Sequence, residues 1–195
     1  MNALYFTQRK MKETAENYHK SKFLGSPVFP EHFLDGKELD ENSFFLMQVN
    51  LEDLKGRQEY LPKSGFLYFF LDPDTFVPTV LFTEEEPLIV IEDINEIFEG
   101  EYGDTAAYEL VFDSDIEEGH YLLGDVNSDL GLEGDTDLEG KVTLLEIDAL
   151  ALPDDANLLD FNSLANGIGH YVFLIREDDL RKRDFSRVEL IDCGN

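Results

Sequence analysis

Tryptophan is absent from this chain, cysteine occurs once, and positive charge is scarce. Lys and Arg number 15 against 43 Asp and Glu, a formal net charge of −28 at pH 7. A surface so poor in cations has little with which to hold phosphate, so direct nucleic-acid binding is not expected. Anionic membranes are disfavoured by the same repulsion. The one thiol, Cys193, can form no internal disulfide, which fits a reducing compartment. Long apolar runs are also missing. Runs such as Phe66–Leu71 and Leu88–Ile91 fall far short of a membrane span. Met1–Lys10 has no extended apolar stretch and no cleavage site, so no secretory leader is expected. Together these absences point to the cytoplasm.

What is present suits a packed core. The hydrophobic fraction is 43%, with Phe 16 and Tyr 8, so one domain over residues 1–195 can fold without a metal or disulfide staple. Thr7 to about Lys20, rich in Lys, Glu, Gln and Ala and free of Gly and Pro, predicts a short N-terminal helix. Gly25, Pro27 and Pro30 then break the chain. Eight short apolar runs follow: Phe44–Leu51, Gly65–Asp72, Thr79–Thr83, Leu88–Glu92, Ala107–Asp113, Val142–Asp148, His170–Arg176 and Ser186–Asp192. Gly, Pro, Asn and Asp clusters bound most of them. So many strands with little helix between them predict a mainly β fold, antiparallel sheets in a roll or sandwich. Helical turns are expected at Leu51–Lys55, Asn95–Glu99 and Asp178–Arg183. Gly124–Gly140 reads as one long acidic loop.

The halves echo each other. Leu24-Gly25 recurs as Leu123-Gly124, Phe45–Asn50 as Thr143–Asp148, and Gly65–Phe70 as Gly169–Leu174, in the same order at offsets near one hundred. This suggests an internal pseudo-duplication, with repeats at about 22–113 and 120–192.

The same patches carry a family likeness. Gly25-Ser26-Pro27-Val28-Phe29-Pro30, Leu46-Met47-Gln48-Val49-Asn50-Leu51 and Leu61-Pro62-Lys63-Ser64-Gly65-Phe66-Leu67-Tyr68-Phe69-Phe70 resemble successive segments of the YwqG-like family, bacterial domains of unknown function. Later segments resemble His120–Gly124, Leu144–Asp148 and Phe173–Ile175 with Asp184-Phe185-Ser186. The resemblance implies a mainly β roll with internal duplication and brings no catalytic residues with it. Departures fall at His32–Gly36, at Asp125-Val126 and at Leu159–Ser163, where the family often has Trp-Pro, Tyr-Pro and a Trp-Gly-Asp-like turn.

Candidate chemistry is sparse. Asp125, Asn127 and Asp129 space oxygen ligands like the opening of a calcium loop. Leu130 and Thr136 stand where an EF-hand needs Gly and a bidentate Glu, so a solvated acidic loop competes with a cation site. His19, His32, His120 and His170 lack metal-ligand spacing. No Gly-x-Ser-x-Gly elbow exists, and Asn166-Gly167-Ile168-Gly169 leads into a strand, not the helix a phosphate loop would open. No cofactor is implied. Gln48, Asn50, Glu146 and Asp148 are the candidate binding residues: polar groups at matching places on two otherwise apolar strands, lining either a cleft between the repeats or a solvated sheet face. The leading expectation is a non-enzymatic protein that binds a basic partner through an acidic face, in its specific form an immunity-type inhibitor. The alternative is an enzyme or small-ligand binder using a cleft between the repeats.

Overall fold

A computed structural model of the chain describes residues 2–36, 39, 43–72, 75–92, 94–95, 106–113, 115–116, 118–126, 137–148, 151–152 and 169–194. Alternating burial begins at once. Leu4 and Phe6 are buried and Thr7 is exposed, and Leu4–Lys10 is strand β1. The strands β2 (Lys22–Phe23), β3 (Val28–Phe29), β4 (Phe44–Asn50), β5 (Phe66–Leu71), β6 (Pro78–Thr83) and β7 (Ile89–Val90) follow. Then come β8 (Tyr108–Phe112), β9 (Tyr121–Gly124), β10 (Lys141–Asp148), β11 (Gly169–Arg176), helix α1 (Glu177–Lys182) and β12 (Glu189–Gly194).

Ten strands form one sheet in the order β12-β11-β10-β9-β1-β8-β2-β4-β5-β6, and its pairings are antiparallel, while β3 and β7 make a separate two-stranded ribbon. The long sheet curls until its two arms meet face to face. Phe69 of β5 and Phe173 of β11 touch edge-on, with ring centroids 5.6 Å apart, and Phe82 packs against Phe185. The main core lies inside this curl and draws on both arms: Met47, Val49, Leu67 and Phe69 from one, Leu145, Ile147, Tyr171 and Phe173 from the other. Two smaller clusters sit on the outer faces, Phe29, Phe45, Phe66, Tyr68 and Phe70 on one arm and Val172, Leu174 and Cys193 on the other.

The mainly β reading holds, and the echoed segments share local features. The β4–β5 register slips between Phe45 and Met47, and the β10–β11 register slips between Thr143 and Leu145. Leu46 and Leu144, at the two slips, are both fully buried. The echoed Leu-Gly pairs have a shared cause. Leu24 and Leu123 both adopt left-handed backbone, at φ 58° and 55°. A Cβ on the following glycine would stand 2.5 Å from the Ala107 Cβ at Gly25, and 2.6 Å from the Tyr121 ring at Gly124. Left-handed leucine costs about 1–2 kcal/mol, an amount that burying the side chain offsets.

The N-terminal helix is a correction. Instead of a helix over Thr7–Lys20, the chain forms β1 to Lys10 and then turns, with Asn17 and Tyr18 N–H both bonded to Thr14 O. The helix-favouring composition is overridden because β1 fills the middle of the sheet between β8 and β9. Of the expected helical turns, Leu51–Leu54 is a 3-10 turn capped by Asn50, and Glu177–Lys182 is α1. Most of Asn95–Glu99 lies outside the described residues.

Candidate functional site

Gln48 stands on the outer face of β4 and is fully buried, because residues 13–21 fold across it. Its amide donates to the carbonyls of Tyr18 and Lys20, both at 3.0 Å, and its Oε1 accepts from the Val28 N–H at 2.9 Å. Every polar atom of the side chain is engaged in holding backbone. Asn50 works similarly. Its amide donates to His19 O and its oxygen accepts from the Glu52 N–H, closing the 3-10 turn. Unlike Gln48, Asn50 is only partly buried, and it opens onto a pocket.

Glu146 and Asp148 occupy the matching places on β10. Glu146 is buried, its Oε1 2.9 Å from His170 Nδ1. Its Oε2 has no hydrogen-bond partner among the described residues. The nearby Tyr121 phenol is pushed well above its ordinary pKa, first by burial and then by this carboxylate. The Asp148 N–H donates to His120 Nδ1 at 3.1 Å, while His120 Nε2 lies 3.2 Å from Ala151 O. Those two contacts require the neutral tautomer with its proton on Nε2. Burial accordingly lowers the His120 pKa. The four sequence candidates therefore fall into two pairs, separated along the sheet by β2, β8, β1 and β9. Gln48 and Asn50 bond to backbone at Tyr18–Lys20, Val28 and Glu52, whereas Glu146 and the Asp148 N–H meet His170 and His120.

The pocket beside Asn50 has a volume of about 380 Å³ and is walled by His19, Glu52, Ser64, Glu84, Glu85 and Glu86, among others. Its walls come from the turn after β4, the start of β5 and the segment leaving edge strand β6. Among the described residues, no Lys or Arg lines it. Arg183 reaches Glu84 from outside at 2.6 Å, whereas Glu52, Glu85 and Glu86 make no ion pair among the described residues. The arrangement concentrates negative potential in a concavity, suited to a cationic group. Sequence reasoning singles out Asn50 here, and neither Glu52 nor Glu84–Glu86. It missed that Asn50 and Glu52 face the same hollow, because that requires the β5–β6 hairpin to bring residue 84 alongside residue 65 (Phe66 pairs with Thr83).

A second hollow of about 380 Å³ is lined by Asn2, Arg57, Gln58, Glu59, Tyr60 and Leu123. Arg57 there donates to the carbonyls of Leu54 and Phe112. Of the calcium-like loop, Asn127 and Asp129 lie outside the described residues, as do Asn166–Ile168. Asp125 is exposed. No group of three or more His, Cys, Asp or Glu among the described residues is placed to hold a metal ion.

A family model for a domain of unknown function, DUF1963, matches residues 21–118, just over half of the chain. The chain belongs to the DUF1963 family. No curated protein matches it. The DUF1963 match spans β2 to β8, so it takes in the acidic pocket from Asn50 to Pro87 and leaves His19 just outside. No helix among the described residues is long and apolar enough to cross a membrane.

Proposed function

We propose that this DUF1963 protein is a non-enzymatic binding protein whose acidic face receives a basic partner, in its specific form an immunity-type inhibitor of a basic protein. The observation that carries this reading is the carboxylate-rich pocket of Asn50, Glu52 and Glu84–Glu86, in which Glu52, Glu85 and Glu86 make no ion pair among the described residues, set in a chain of net charge −28. Opposed fields of this strength accelerate encounter and suppress anionic partners. The YwqG-like resemblance continues past residue 118 through Leu144–Asp148 and Phe173–Ile175, which supports one duplicated bacterial unit. A lone thiol, Cys193, supports a reducing, cytoplasmic setting. Capture from host lysate at low and at moderately high salt, read by mass spectrometry, tests the reading. One basic protein held at low salt and released at high salt is expected. A partner bound equally at both salts counts against it.

The small-ligand reading draws on a separate observation, the hollow at Arg57 and Tyr60. A thermal-shift screen supports it if a compound raises the midpoint of the native chain and not of an Arg57→Ala variant.

A further inference from the structure

Aliphatic side chains are exposed where the acidic pocket ends. Leu88 is 63% and Ile89 47% accessible, although the segment that carries them is firmly held. Leu88 N–H donates to Phe29 O at 2.8 Å, Ile91 N–H to Pro27 O at 3.0 Å, and Ile89 pairs with Phe29 in the β3–β7 ribbon. Their exposure is thus a feature of an ordered strand. Ile89 also forms the rim of an apolar hollow of about 160 Å³ with Phe29, Phe33, Leu34 and Ile91. One stretch of backbone, residues 84–91, therefore walls two hollows in sequence, the first anionic and the second apolar. Ordered surface aliphatics beside a concave apolar patch are a common mark of an interface.

We infer that residues 84–91 form a composite docking strip for an extended segment of a basic protein, in which a Lys or Arg enters the pocket at Glu52, Glu85 and Glu86 and an aliphatic or aromatic side chain fills the Phe33–Ile89 hollow. The inference rests on the basic-partner reading and adds an apolar anchor to it. Charge selects the occupant. A second copy of this chain would bring Glu85 and Glu86 against like charge, and an anionic membrane or nucleic acid would meet the same repulsion. A polypeptide carrying both cations and a hydrophobic side chain satisfies both hollows. Glu85 and Ile89 are four residues apart, about 13 Å in an extended chain, so the basic residue and the anchor of the partner stand about four positions apart.

Two synthetic peptides test this against the full chain at low salt. In the first, a Lys-Arg pair stands four positions from a Phe; in the second, Ser replaces the Phe. By isothermal titration the Phe peptide is expected to bind at least about ten-fold more tightly, the effect of burying one large apolar side chain. That advantage disappears in the Leu88→Ser/Ile89→Ser double variant. Glu85→Gln/Glu86→Gln weakens both peptides and flattens their salt dependence. All four positions are exposed, and an unchanged unfolding midpoint certifies that the variants fold. Equal affinity for the two peptides, with loss in the Glu→Gln variant, overturns the anchor and leaves the acidic-face reading standing. Failure of both peptides to bind overturns the two together. A native dimer that the Leu88→Ser/Ile89→Ser variant converts to monomer also overturns the inference, by making a second copy the occupant.

Discussion

At the scale of single residues, the polar groups on β4 and β10 follow different logics despite matching positions. Gln48 is saturated with backbone partners, so removing it strands one N–H and two C=O groups in the interior. Gln48→Leu is expected to lower stability by roughly 2–4 kcal/mol in urea denaturation, with the slope unchanged. A loss within experimental error would show that loop 13–21 re-forms its contacts without it. His120 makes the opposite demand, since its Nδ1 must remain an acceptor for the Asp148 N–H. Its folded pKa is depressed by burial, partly offset by Ala151 O. A depressed folded pKa means that the unfolded state binds the proton more readily as pH falls. His120 therefore contributes stability that is fully present above its unfolded value, near 6.5, and is lost as pH falls through the lower folded value. Denaturation of the wild type and of His120→Gln across pH 7.5 to 4.5 should give curves that converge on acidification. Parallel curves would mean that His120 does not titrate differently in the two states.

The elements were legible where burial alternates or runs unbroken, because that pattern is written in residue type. All eight expected strands exist, with ends displaced by up to three residues. β2 and β3, two residues each, are too short to show a period, and they form because β8, β4 and β7 offer ready hydrogen-bonding edges. β1 was misread because the Lys- and Glu-rich stretch after it dominates composition, while its own alternation is confined to Leu4 and Phe6. Candidate-site residues could be named singly but not grouped, since only the folded hairpins decide what faces Asn50. No sequence rule signals the other polar feature either, the buried pair beneath loop 11–21. Lys22, wholly inaccessible, extends its ammonium to Glu13 Oε1 at 2.6 Å and to Ser26 O. Desolvation lowers the Lys22 pKa, and Glu13 opposes that shift. Glu13→Gln leaves the ammonium buried without its counter-charge, an expected cost of roughly 2–4 kcal/mol near neutral pH. Because the folded pKa then lies further below the unfolded value near 10.5, stability recovers as pH rises between the two. Lys22→Met in the Glu13→Gln background should restore much of the loss. If it does not, the pair orders loop 11–21 by geometry and its charge is incidental.

For the molecule as a whole, the question is whether the two repeats are separable, and the order of the central strands bears on it. Two strands tie the halves of the chain together across the middle of the sheet. β1 precedes β2 in the chain yet pairs with β9, and β8 precedes β9 yet pairs with β2, while β1 and β8 pair with each other. Strands β1 and β8 thus link the two arms of the sheet, and the inner core is shared, as the Phe69–Phe173 contact shows. A fragment ending at Asp113 would keep β8 but expose the inner faces of β4 and β5 and leave one edge of β1 open. The complementary fragment would lose the strand against which β9 pairs. Either would forfeit burial worth about 1.5–3 kcal/mol for each large apolar side chain uncovered, against a total stability of only about 5–15 kcal/mol. We therefore expect the intact chain to unfold in one transition, coincident by tyrosine fluorescence and far-ultraviolet circular dichroism. Fragments 1–113 and 114–195 should each lack a cooperative transition and regain one only when mixed. A sigmoidal transition in either fragment alone would mean that the linking strands decorate two self-sufficient halves, and an interface between independently folding arms would then replace the single shared core.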